Sequence, residues 1–203
     1  MQKTAQTIQA GIDTRFLFIE DIGWDKDAQC FVGEDYQPIQ NLFKLYPWEW
    51  LLADEFGEHI GNDKPLFIEP AWKMILSNKA ILPVLWELFP GHPYLLPAYF
   101  SSDPLSSYVK KPILSREGAN IEMVVGDECI CRTDGEYGEE GFIYQQLFQL
   151  PEFDGNYALI GSWVIGQQPA GIGIRESCSL ITDNLSRFVP HLIGDTRAPE
   201  SPE

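Results

Sequence analysis

From Tyr108 to Glu176 the chain breaks into short β-rich segments separated by turn residues, a pattern that commits this half to antiparallel sheet. Residues 108–114, 121–125 and 128–132 read as a meander, and residues 142–150 follow as a further strand. Residues 157–165 then pair with 171–176 around a Gln167-Gln168-Pro169-Ala170 turn. The first half reads differently. Residues 1–10 suggest an amphipathic helix ending near Gly11, and 14–20 (TRFLFIE) a strand. A short strand at 30–32 follows the polar turn Asp25-Lys26-Asp27. Residues 38–52 mix helical periodicity with an interruption at Pro47, and 66–69 make a short strand. Two helical stretches, 70–76 and 79–88, are separated by a break and N-cap at Ser77-Asn78. Proline-rich 90–104 is a surface loop, and 195–203 a disordered polar tail. The expected class is α+β, an antiparallel sheet with flanking helices.

Charge narrows the partners. Thirty acidic residues against 14 basic ones give a formal net charge of -16. A field of that sign repels nucleic acid and anionic lipid, so neither is expected as a partner. An anionic ligand needs the few cations gathered at one place. Four cysteines at 30, 129, 131 and 178 form no CxxC pair, which favours a reducing compartment. No apolar run reaches the length of a signal peptide or membrane span, and the expected location is the cytoplasm.

The cations do cluster along the chain. In YVKKPILSREGANI (108–121) a strand ends in Lys110 and Lys111 and leads into a turn carrying Arg116 and Gly118. Backbone N–H groups of such a turn can form an anion nest, with Lys111 as a point charge and Arg116 as a planar fork. Taken alone, the segment also reads as a solvated charged hairpin. It is no Walker A loop, because GxxxxGK[ST] is absent and a strand follows. Lys79 opens a predicted helix, where a cation is disfavoured unless an anion lies between it and the helix end; a plain surface lysine is the competing reading. In IYQQLF (143–148) two amides interrupt an apolar strand, which either presents its backbone N–H and C=O groups to a purine edge or is an edge strand with polar residues facing water. Arg175 ends the glycine-rich segment 166–173, where backbone approaches a neighbour closely.

The order of these features resembles the ATP-grasp half of glutathionylspermidine synthase-like ligases, in their short form without an amidase domain. KLYPWEW (44–50), EPAWKMILSNKAILPVLW (69–86), KKP with SREGANI (110–121), IYQQLF (143–148) and GIRES (173–177) carry the likeness. It runs from about Asp21 to Ile193, so residues 1–194 are expected to be the C-terminal portion of such a ligase. The resemblance implies an ATP-grasp-like fold and an ATP-dependent acid–amine (carbon–nitrogen) ligase acting through an acyl phosphate. Lys79 and Lys111 would contact ATP phosphates, with Lys111 also near the adenine cleft. Arg116 and the Gly118 turn would close as a lid over the γ-phosphate. Gln145, Gln146 and Leu147 would line the adenine pocket, and Arg175 would hold the acyl phosphate or carboxylate. The implied partners are ATP, a carboxylate that is glutathione- or peptide-like, and a polyamine-like amine.

The chain departs from the family at the metal. Members carry an Arg/Asp segment and a Glu-x-Asn segment that hold Mg²⁺, and neither pattern precedes Lys44. The Mg²⁺ ligands are therefore expected upstream of this chain, which then lacks part of the active site. The alternative is a shortened, non-catalytic remnant serving as a binding module. No metal ligand is assigned within the chain itself. Cys129 and Cys131, two apart on a strand, are expected on one face as small buried hydrophobes rather than a zinc pair. His59, His92 and His191 are isolated, and the six tryptophans are expected to fill the core. The acidic runs are expected to be solvated faces.

Overall fold

The computed structural model describes residues 7–61 and 65–194, which divide into two units between Ser77 and Asn78. Each is built on its own small sheets. Residues 1–6 of the expected first helix and the expected tail 195–203 lie outside the described residues. Residues 7–9 are helical, and the chain turns at Gly11, whose φ of +74° suits glycine.

In the first unit β1 (Gly23–Asp25) pairs antiparallel with β2 (Cys30–Val32). Asp25 closes the turn by accepting the backbone N–H groups of Asp27 (2.9 Å) and Ala28 (3.0 Å). Trp24 is stacked on His59 at 4.0 Å and meets the edge of Phe31 at 4.9 Å. Strand β3 (Asn41–Phe43) pairs parallel with β4 (Leu66–Ile68), and the crossover between them contains α1 (Trp48–Ala53), which begins directly after Pro47. A 3-10 turn, Ala71–Lys73, leads into the four-residue helix α2 (Met74–Ser77).

Residues 14–20 correct the sequence reading. They form no strand and end in a 3-10 turn, Ile19–Asp21. Burial still alternates there, with Leu17 and Ile19 half-buried and Phe16 and Phe18 exposed. Local preference alone does not make a strand without a neighbour to complete the ladder, and none pairs with this segment among the described residues. The tryptophans are also corrected. Trp24 and Trp48 are buried, whereas Trp50, Trp72 and Trp163 are exposed.

The second unit opens with α3 (Ile81–Leu88) and then builds two antiparallel sheets. The first has five strands in the order β5-β9-β6-β7-β8: β5 (Ala98–Tyr99), β6 (Ser107–Pro112), β7 (Glu122–Val125), β8 (Glu128–Arg132) and β9 (Phe142–Gln146). The second is a four-stranded meander of β10 (Glu152–Phe153), β11 (Asn156–Ile165), β12 (Gln168–Ser177) and β13 (Arg187–Val189). Val109, Met123 and Ile181 form a buried cluster on one face of the larger sheet, with Cys131, Leu147 and Leu180 against it. Ile143 is fully buried. The mixed helix-and-sheet architecture is the expected α+β class.

Two details of register differ from expectation. The β11–β12 turn falls at Gly166-Gln167, with φ of +56° and +64°, two residues earlier than read. A two-residue hairpin turn with both central residues at positive φ matches the twist of its strands, and the glycine supplies half of that requirement. A bulge in the β7–β8 ladder pairs Met123 with Cys131 and Val124 with Cys129. The extra residue turns the two cysteines to opposite faces, so Cys131 joins the core and Cys129 stays exposed.

Candidate functional site: a lysine pair at the end of β6

Adjacent residues on a strand point to opposite faces, and the two lysines of β6 are separated in this way. Lys110 meets Glu122 across the β6–β7 ladder at 3.2 Å and lies 4.4 Å from the Phe142 ring centroid. Lys111 is on the other face, with Ile143 and Gln145. Its ammonium donates to Gln145 Oε1 at 2.7 Å. No carboxylate of the described residues comes within 4 Å of it.

Lys79 stands two residues before α3. Its N–H donates to Ile113 O at 2.9 Å, which ties the helix start to the end of β6. Asn78 Oδ1 accepts from Ala80 N at 2.8 Å, holding the turn. The Lys79 ammonium donates to Ser115 O (2.8 Å) and Ser115 Oγ (3.0 Å). Burial and then the neighbouring Lys79 charge push the Lys111 pKa down to about 8. Two cations share one partly dry place, and such a place favours an anion.

The turn after Ser115, expected to close as a lid, is tied to neighbouring segments by hydrogen bonds. Ala119 N donates to Arg116 O at 3.0 Å, and Thr133 Oγ1 donates to Gly118 O. Asn120 bridges to the next segment, donating to Gly135 O (2.9 Å) and accepting from Tyr137 N (2.8 Å). Gly118 has φ +74°, and a Cβ there would stand 2.6 Å from Thr182 O. Only glycine satisfies both the backbone angle and that approach. Arg116 is half-buried.

Arg175 is on β12, opposite Leu159 and Phe188. Its guanidinium donates to Asp183 O and lies 5.5 Å from the Phe188 ring centroid; its Nε is buried with no hydrogen-bond partner among the described residues. The 181–183 segment touches both the Gly118 turn and Arg175.

Gln145 and Gln146 separate as the lysines do. Gln145 shares the Lys111 face, whereas Gln146 shares the Tyr108 face. Leu147 packs against the core cluster. At this end of β9 an open hollow of about 450 Å³ is bounded by Gln146, Leu147, Pro97, Tyr99, Ser106 and Ser107. The sequence reading missed Ser115, Thr133 and the 181–183 segment. Their contacts are long-range, so periodicity carries no sign of them. Among the described residues no three His, Cys, Asp or Glu side chains converge as metal ligands, and no helix is long and apolar enough to cross a membrane.

The family described as glutathionylspermidine synthase preATP-grasp matches residues 1–194. A putative acid–amine ligase of Haemophilus influenzae is 49% identical over 192 residues, covering 90% of this chain and 49% of the relative. A trypanothione synthetase of Crithidia fasciculata is 37% identical, covering 77% of this chain and 28% of the relative. A bifunctional glutathionylspermidine synthetase/amidase of Escherichia coli is 34% identical, covering 91% and 34%. The chain thus spans about half the length, or less, of the curated relatives it matches. With the family matched along nearly its whole length and named relatives that are ligases and synthetases, this chain belongs to the glutathionylspermidine synthase family.

Proposed function

We propose that this chain carries the nucleotide-binding portion of an ATP-dependent acid–amine ligase with an ATP-grasp-like fold. The observation that carries the reading is the half-buried Lys111, beside Lys79 and without a carboxylate within 4 Å among the described residues. Phosphoryl transfer needs charge neutralisation and positioning more than covalent help from the protein. Lys79 and Lys111 hold the phosphates, and Gln145 fixes the position of the Lys111 ammonium. The hollow beside Gln146 and Leu147 suits the adenine. Arg116 and the Gly118 turn border the transferred phosphate, and Arg175 receives the carboxylate.

In the reaction a carboxylate oxygen attacks the γ-phosphorus and ADP departs. The amine nitrogen then attacks the acyl carbon, phosphate leaves, and the amine gives up a proton. Mg²⁺ would add charge neutralisation at the phosphates, with its ligands expected from the rest of the ligase. The names of the relatives favour a glutathione-like acid and a polyamine-like amine. The test is ADP release by this chain together with the remaining ligase segments. Release that requires both acid and amine is expected. Nucleotide binding without such turnover would favour the second reading, a binding module, which the partial coverage of the relatives motivates.

A further inference from the structure

The outer half of the β11–β12 hairpin is built unlike a surface. Between Tyr157 and Ile174 there is no Asp, Glu, Lys or Arg, in a chain of net charge -16. On one face Ile160 (65% exposed), Val164 (64%) and Ile172 meet solvent; on the other, Trp163 (61%) and Ile165 (68%) do. Strands apolar on both faces are those covered on both faces. The edges are open as well. Strand β10 pairs only with Asn156 and Tyr157, and β13 only with Ile174 to Glu176, so residues 158–165 and 168–173 have no outer strand neighbour among the described residues. Natural exposed edges are short or guarded by charge, and these are neither.

We propose that this hairpin docks into the part of a ligase of this family that the chain does not match, whether joined to it or supplied separately. This rests on the ligase reading above. The Haemophilus relative carries about as much polypeptide outside the matched region as within it. A second copy of this chain, pairing edge to edge, would cover one edge of the ribbon and leave the other open.

The experiment co-expresses this chain with the unmatched remainder of the Haemophilus ligase, tagged, and follows hydrogen exchange. A one-to-one complex is expected, with the outward-pointing amides of 159–173, those that make no bond across the β11–β12 ladder, exchanging at least tenfold more slowly than in the chain alone. Trp163→Ser combined with Ile165→Ser should lower retention at least tenfold, whereas Leu192→Ser, at an exposed site off the hairpin, should not. Any of four results would overturn the proposal: no complex with a folded remainder, a complex indifferent to the hairpin variants, outward-pointing hairpin amides already protected in the free monomer, or self-association that those variants abolish. Nucleotide binding by the chain, titrated in parallel, reports on the ligase reading separately.

Discussion

Two regions of the second unit use opposite chemistry. At the end of β6 charged groups are drawn inward and fixed by neighbours: Lys111 by Gln145, Lys79 by Ser115, and the Gly118 turn by Thr133. Along the outer β11–β12 hairpin apolar groups are held outward, and no charge guards them. Each region is unfavourable by itself. Among the described residues the first lacks a counter-charge for Lys111 and the second lacks a cover, so both are better explained by what they bind than by the stability of this chain.

The sharpest break in the comparison comes from the same substitution in each region. Ile143→Ala removes a fully buried side chain beside Lys111 and should cost about 3 kcal/mol, read as a lowered denaturant midpoint. Ile165→Ala, in the exposed hairpin, should shift it by less than about 0.5 kcal/mol. Comparable losses would mean that the hairpin is covered within the chain. Glycines give the next contrast, because Gly118 and Gly166 both have positive φ but only Gly118 is closely approached. Gly118→Ala should cost about 2 kcal/mol or more, and Gly166→Ala about 1 kcal/mol. Equal costs in the same denaturation assay would remove the docking of the turn against Thr182 from the account.

The buried lysine also gives the first region a pH dependence that the hairpin lacks. Lys111 has a folded pKa of about 8, below its ordinary 10.5. Below pH 8 both states are protonated, and the folded state bears the full penalty. Between 8 and 10.5 the unfolded chain binds more protons, so stability should rise with pH, by up to about 3 kcal/mol across that interval. Lys111→Met should flatten that rise in denaturation curves at matched pH. A rise of unchanged size in the variant would assign it to another group.

Much of the sheet was legible because pairing there is local. Alternation and turns in residues 107–132 and 156–177 identify strands whose partners are the next in sequence. Residues 14–20 misled for the converse reason: their β preference is real but finds no ladder. The Cys129–Cys131 reading failed because a bulge adds one residue, which a period of two cannot register. In the site, residue chemistry drew attention to both Lys79 and Lys111, but not to what surrounds them. Ser115 lies 36 residues from Lys79, and Gln145 lies 34 from Lys111. Such contacts depend on the fold of the whole unit, as does the anchoring of Gly118 and Arg175 by residues 181–183.

The central claim is that the Lys79–Lys111 pair is a phosphate site. Calorimetric titration with a non-hydrolysable ATP analogue, with and without Mg²⁺, tests it directly on the parent chain and on Lys111→Ala. The account predicts saturable binding by the parent that weakens as pH rises through about 8, and at least a tenfold loss of affinity in the variant. Equal affinity in the two proteins, or no binding by a folded parent chain, would contradict it.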